Sequence, residues 1–339
     1  MAERPETRIS EQIAEAFKSR GLRVEARDGR GRCVIAERAF KSGEIVFCNL
    51  PFAVALHESQ WSHRCNACFQ RQSSELKRCS RCRAHFYCDK RCQQVAWRAG
   101  HRDECARLPA LLAALAAKGG YAGAANALLL GRVEALRRAV GDGGDSGSSL
   151  PAASRRGAPI ASTAADVDAM VSPLPSARRI DDDNDGMASL AAAAVASGLF
   201  SGSGGSANGG SGGTSSGAGD SAGGESSAET PAAAAAAAVA EATTLLGRFA
   251  CNNFGVLDGL MVSVAAGIYP AAALLNHSCA PNCVLSWEPR TAVLVVRTAA
   301  PVTPGEELCH AFVDAAAPTA ARRMALQESY GFRCDCRRC

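Results

Sequence analysis

Apolar positions near the start of the chain recur first at helical and then at strand spacing. Over residues 10–20, Ile13, Ala14 and Phe17 fall on one face and predict a short amphipathic helix. Strand-like runs follow at 22–26 and 33–36, on either side of the turn Asp28-Gly29-Arg30-Gly31-Arg32. Two more lie at 44–48 and 52–56. Residues 108–139, rich in Ala and Leu, predict helix with breaks at Gly119-Gly120 and at Gly131. The pattern is then lost from 141 to 229, where Gly, Ser, Ala and Asp dominate and aromatics nearly vanish. Such a stretch buries too little apolar surface to offset its ordering entropy, so it reads as a flexible insertion. Periodicity resumes at Thr230-Pro231, a favoured N-cap followed by a residue suited to the first helical position. The predicted helix runs through an Ala tract to Leu245, Leu246 and Phe249, with further strands at 260–264 and 293–297.

Composition changes this picture through cysteine. There are sixteen, and seven of them with one histidine stand at ligand spacing: Cys65-x2-Cys68, Cys79-x2-Cys82, Cys88-x3-Cys92 and His101-x3-Cys105. A short turn aims both members of each pair at one point, so two pairs fill a tetrahedron around one structural Zn²⁺. The order suggests a cross-brace. Cys65, Cys68, Cys88 and Cys92 take the first ion, and Cys79, Cys82, His101 and Cys105 take the second. A disulfide framework is the competing reading. The histidine at a ligand offset argues against it, as does the polar, charged start from Met1 to Ser10, which is not a signal peptide. Asp181, Asp183, Asp185 and Gly186 match the opening of an EF-hand loop, but position twelve is Ala192 where a bidentate Glu belongs, so they read as a solvated acidic run.

Net charge is a mild +4, unevenly spread. Arg and Lys crowd the finger (Arg64, Lys77, Arg78, Arg81, Lys90 and Arg98 among them), with few acids to answer them. Two readings stand: a weak contact with nucleic acid or an acidic protein tail, or an ordinary solvated surface. No uninterrupted apolar run reaches the roughly 20 residues a membrane span needs, so no membrane association is expected.

The eight-ligand finger resembles the MYND zinc finger, which implies a protein-binding module for proline-containing peptides. Farther along, Asn276-His277-Ser278-Cys279-Ala280-Pro281-Asn282, Gly305-Glu306-Glu307-Leu308 and Cys334-x-Cys336-x2-Cys339 stand in the order and spacing of a SET domain. A MYND finger inserted after the first SET strands resembles the SET and MYND (SMYD) family of protein-lysine methyltransferases. The resemblance implies an α+β fold: a β-rich SET fold with a knot-like Asn-His segment, an inserted finger and a Cys-rich post-SET tail. The expected layout is N-terminal SET part 20–62, finger 65–105, helical insertion 106–140, low-complexity flexible insertion 141–229, C-terminal SET part 230–314 and zinc-binding tail 315–339.

The family's roles carry over residue by residue. Arg30, Gly31 and Arg32 match the turn that meets the carboxylate end of S-adenosylmethionine, where glycine lets the backbone approach and guanidinium suits a carboxylate. Asn276 and His277 match the cofactor-binding pair, although a lone histidine there would read as a satisfied core residue. Asn252 matches a further cofactor contact, and Phe332 the ring that stacks on adenine. Cys279 is implied as fourth ligand to Cys334, Cys336 and Cys339, giving a third zinc. Cys33, Cys48, Cys251, Cys283 and Cys309 then remain plain thiols.

The implied activity is S-adenosylmethionine-dependent methylation of a lysine in a histone or other protein, by a monomer in nucleus and cytoplasm. A narrow channel desolvates the amine beside a sulfonium, lowers its pKa and makes a dedicated base unnecessary. Tyr330 matches one channel tyrosine. Phe312 stands where the family usually has another, keeping the ring and losing the hydroxyl. That departure keeps a second reading open, an adaptor with little turnover working through its finger. Many family members continue into a helical C-terminal domain; ending at Cys339 leads one to expect a more open cleft or a longer gene.

Overall fold

The computed structural model describes residues 9–72, 75–120, 122–141, 159–170, 180–202 and 230–339. Ser10 caps α1 (Glu11–Lys18), its hydroxyl accepting from the Ile13 N–H. Ile13 and Phe17 are buried, and Phe17 packs on Phe47 with ring centroids 5.2 Å apart. The hairpin β1 (Leu22–Arg27) and β2 (Gly31–Ala36) follows, then β3 (Ile45–Asn49) and β4 (Ala53–Leu56).

The finger holds the hairpin β5 (Lys77–Arg78) and β6 (Phe86–Tyr87), then α2 (Lys90–Ala96), capped by Asp89, and the short α3 (Arg102–Glu104). Between these helices Gly100, at φ +125°, supplies a kink that a side chain would resist. A helical layer comes next: α4 (Leu108–Ala116), α5 (Ala124–Gly141), α6 (Ala164–Asp168), α7 (Ile180–Ala196) and α8 (Pro231–Asn252). The chain then returns to the sheets with β7 (Asn253–Leu257), β8 (Ser263–Ile268), β9 (Asn276–His277), β10 (Cys283–Trp287), β11 (Leu294–Thr298) and β12 (Cys309–His310), and ends in α9 (Thr319–Tyr330) and the tail.

Early and late strands share sheets. One is ordered β10-β11-β3 and another β4-β8-β7. The two-residue strands β9 and β12 pair in parallel, Cys309 beside Asn276 and His310 beside His277. Leu308 N–H donates to Val34 O and Ala36 N–H to Glu306 O, so the segment leading into β12 lies against β2. This crossing is the expected knot-like arrangement, and it gathers the Asn-His segment, the β1–β2 turn and the Gly-Glu-Glu-Leu segment.

Several expectations are corrected. The 141–229 stretch is not linker throughout. Ile160 bridges to Asn49, Leu50 N–H donates to Ile160 O, and the buried Asn49 amide donates to the same carbonyl at 2.9 Å. Val167, Ala191, Ala194 and Phe200 are buried, and α7 packs on α8. Small alanines let helices approach closely, so a composition that resembles a linker still packs. The EF-hand-like run falls inside α7, a helix rather than a loop. Gly131 lies within α5 without breaking it. A Cβ there would come within 2.7 Å of Leu199 Cδ2 and 3.1 Å of Leu199 O, so the glycine serves close approach.

The 260–264 run is strand only from Ser263; Leu260 and Met261 are exposed. Asp258 Oδ1 accepts from the N–H groups of Leu260 and Val262, and this side-chain-stabilised turn overrides the β-propensity of the run. Finally, α8 is long and apolar enough by length and composition to cross a membrane. Here its Leu245, Leu246 and Phe249 are buried in the core.

Candidate active site and metal centres

The twelve predicted metal ligands converge as three sets: Cys65, Cys68, Cys88 and Cys92; Cys79, Cys82, His101 and Cys105; Cys279, Cys334, Cys336 and Cys339. Within each set the ligand atoms lie within 4.8 Å of one another. Sulfur pairs stand 3.5 Å apart for Cys68–Cys88, 3.8 Å for Cys79–Cys105 and 3.9 Å for Cys279–Cys334. No disulfide forms among the described residues. Four thiolates at the usual Zn–S length of about 2.3 Å stand roughly 3.8 Å apart, so the sets fit Zn²⁺ in size and chemistry.

The outer contacts fit too. His101 turns Nε2 toward Cys82 Sγ (3.7 Å) and Nδ1 toward Glu104 Oε1 (3.3 Å). A carboxylate behind a histidine fixes its tautomer and strengthens it as a ligand. Glu104, with a side chain 4% exposed, is held in turn by Arg132 of α5, Nη2 to Oε1 at 2.8 Å and Nε to Oε2 at 3.0 Å. Burial alone would raise the Glu104 pKa, but Arg132 and His101 outweigh it and hold it well below the usual range. Arg132 also donates to Val54 O of β4, tying the finger to the sheet. At the tail, Arg322 approaches Cys339 Sγ (3.6 Å), Arg338 donates to Cys279 O (3.2 Å) and Arg323 to Cys339 O (2.7 Å). Four thiolates around Zn²⁺ leave a net negative charge, which these guanidinium groups offset.

The expected cofactor site is built on glycine, amide and aromatic groups. Gly29 and Gly31 take φ values of +72° and +68° at the β1–β2 turn, with open space where a Cβ would stand; the backbone conformation is what requires glycine there. Asn276 Nδ2 donates to Arg32 O (2.9 Å), to Glu307 Oε1 (2.9 Å) and more weakly to Arg30 O (3.3 Å). Arg30 pairs with Glu307, Nε to Oε2 at 3.0 Å. Arg32 offers this cluster its carbonyl, while its half-buried guanidinium feels Asp166.

The His277 side chain faces the protein. Its Nδ1 accepts from the Phe312 N–H at 2.9 Å, so in the neutral ring Nε2 carries the proton and points it at Cys279 Sγ, 3.2 Å away. Burial, aided by Arg322 and Arg30, lowers its pKa to about 4, which keeps it neutral. The ring thus links the tail set to the Phe312 backbone.

Phe312 sits among aromatic rings: Tyr330 at 4.9 Å, His310 at 4.8 Å, His277 at 5.3 Å and Phe332 at 6.4 Å between centroids. Gly331, in the left-handed region at φ +74°, ends α9 and turns the chain so that Tyr330 and Phe332 both reach this cluster. Asn252 closes α8 and donates to Arg248 O (2.8 Å). Its neighbour Cys251 meets Ser329 O (3.7 Å), and Phe254 stacks near His310 (5.7 Å), so this corner borders the same rings. Sequence reasoning assigned no role to Glu307, His310, Phe254 or Arg132. Glu307 lay in a quoted motif; the others carry no local signal. A separate cleft of about 510 Å³ lies between the finger and α5, and none of its lining residues belongs to the Asn276 cluster.

A parallel two-residue knot beneath a Cys-rich tail, with an amide-tied glycine turn beside it, defines a SET fold carrying an inserted finger. The SET domain family matches residues 31–312, and the chain belongs to that family. Within it the chain is similar to histone-lysine N-methyltransferase ASHR1 of Arabidopsis thaliana, 24% identical over 95% of this chain and 56% of the relative. It is also similar to N-lysine methyltransferase SMYD2-A of Danio rerio (25%, over 92% and 58%) and SMYD2 of Gallus gallus (26%, over 94% and 60%). The chain thus spans less than two thirds of the length of these relatives. Their names support a methyltransferase role at the level of the family.

Proposed function

We propose that the protein is an S-adenosylmethionine-dependent protein-lysine N-methyltransferase. The observation that carries this reading is the Asn276 amide, which ties the Arg30–Arg32 turn to the knot directly beside the Phe312–Tyr330–Phe332 ring cluster. Bound there, S-adenosylmethionine supplies an electrophilic methyl group. Arg30 offers a guanidinium to its carboxylate, Asn276, Asn252 and the His277 backbone offer polar contacts, and the Phe332 ring offers an apolar face to adenine. Phe312 and Tyr330 wall the lysine channel, exclude water and so favour the neutral amine. The three ligand sets hold zinc, two ions bracing the finger and one fastening the tail over the cleft.

A second reading rests on Phe312. Without a hydroxyl at that position one preorganised donor is missing, and a single such donor is worth on the order of 10²-fold in rate. The adaptor reading follows if turnover is absent. The test is radiolabelled methyl transfer to histones and to a cell lysate, with calorimetry for S-adenosylmethionine. Wild type is expected to bind cofactor and transfer methyl groups slowly, with Phe312→Tyr faster and Tyr330→Phe slower. No cofactor binding in any form would remove the enzyme reading and leave the adaptor.

A further inference from the structure

Glu307 sits where the knot meets the turn, its side chain only 11% exposed. Oε1 accepts from Asn276 Nδ2 at 2.9 Å; Oε2 lies 3.0 Å from Arg30 Nε and 3.9 Å from Arg27 Nη1. Burial alone would raise its pKa, but the hydrogen bonds from Asn276 and Arg30 prevail and hold it below the ordinary carboxylate range, so it is ionised at neutral pH. The Asn276 nitrogen faces three oxygens that can only accept, Glu307 Oε1 and the carbonyls of Arg32 and Arg30, with the Cys33 thiol beside them at 3.3 Å. Turned over, the amide would set its own oxygen against all three. Its Oδ1 meets no hydrogen-bond donor among the described residues.

We propose that Glu307 is a positioning residue of the cofactor pocket, fixing the Asn276 amide with its oxygen free and tethering the Arg30 guanidinium. An acceptor for an ammonium group and a donor for a carboxylate are then set in place before the ligand arrives, as an α-amino-acid end requires. Preorganisation of this kind removes the rotamer cost of binding for both side chains. The inference rests on the methyltransferase reading, and its test separates the two.

The experiment is calorimetry of the full chain with two ligands. S-adenosylhomocysteine carries the amino-acid end; 5′-methylthioadenosine has the nucleoside and thioether without it. Glu307→Gln is expected to weaken S-adenosylhomocysteine about tenfold, the worth of one charge-assisted hydrogen bond, and to leave 5′-methylthioadenosine within about twofold of wild type on the same scale. Glu307→Asp, which keeps the charge, is expected to restore part of the loss; should the glutamine variant fail to fold, the aspartate variant carries the comparison through a smaller loss confined to S-adenosylhomocysteine. Equal losses for both ligands would make Glu307 merely structural, and no loss would overturn the positioning role. Wild type that binds neither ligand would refute the cofactor pocket itself and this inference with it.

Discussion

Arg132, alongside the Arg64–Asp258 ion pair, is one of the residues that fasten the finger to the rest of the protein. It satisfies a nearly fully buried carboxylate, Glu104, and through Glu104 it orients His101, a ligand of the second set. Removing one partner of such a pair strands the other charge in a low dielectric, which costs more than the pair itself contributes. Arg132→Met is therefore expected to destabilise the protein by on the order of 3 kcal/mol, read as a lower midpoint in chemical denaturation with an unchanged slope. Arg132→Lys should recover little, because an ammonium cannot reproduce the two-pronged contact. A midpoint that does not move would show that water replaces the guanidinium. The ligands of this site were legible in sequence because close pairs at fixed offsets leave a signature in neighbouring residues. Arg132 was not legible: it reaches Glu104 across 28 residues, and only the packing of α5 on the finger brings them together. Glu307 falls between the two cases, present in a readable motif but meaningful only beside Asn276.

Whole elements divide in the same way. Helices with a cap and a broad apolar face, such as α1 and α8, were legible because cap and face both lie within one window of sequence. The two-residue strands β9 and β12 escape periodicity, which needs more residues than they contain; only the Asn-His and Gly-Glu-Glu-Leu motifs at or beside them marked the place. The 141–229 region misled because composition reports average burial, whereas α7 and the residues after it pack through a few positions. Glu134 of α5 holds this part in place, accepting from Ser201 N–H (2.9 Å) and Ser201 Oγ (2.8 Å), while Phe200 next to it is 1% exposed. Phe200→Ala should cost about 3–5 kcal/mol, the usual range for emptying a buried aromatic site. Replacing 141–229 wholesale by a short linker should cost at least as much, since Ile160, Val167 and Leu199 leave the core as well. Equilibrium unfolding of the two variants checks this; full stability in the linker variant would return the region to the status of a spacer.

At the scale of the molecule, three ligand sets stand at three joints: two within the finger and one between the tail and the knot. The pure protein should carry three zinc ions per chain by metal analysis. Cys279→Ser should remove one and leave the finger pair, and it should loosen the Phe312 cluster, because His277 joins Cys279 to the Phe312 backbone. Loss of all three ions at once would show the sites to be one cooperative unit rather than separate ones. The shared sheets have a further consequence, for the timing of birth on the ribosome. Asn49 of β3 pairs with Leu294 of β11, and Leu56 of β4 with Ala265 of β8. At about 5–20 residues per second, β3 waits on the order of 10–50 s for a partner that emerges 245 positions later. The finger can close around a metal during that wait, and β1 can pair with β2, but β3 and β4 lack their ladder partners. Their open edges are templates for the wrong neighbour, so this nascent chain needs β3 and β4 shielded until the last third has been made.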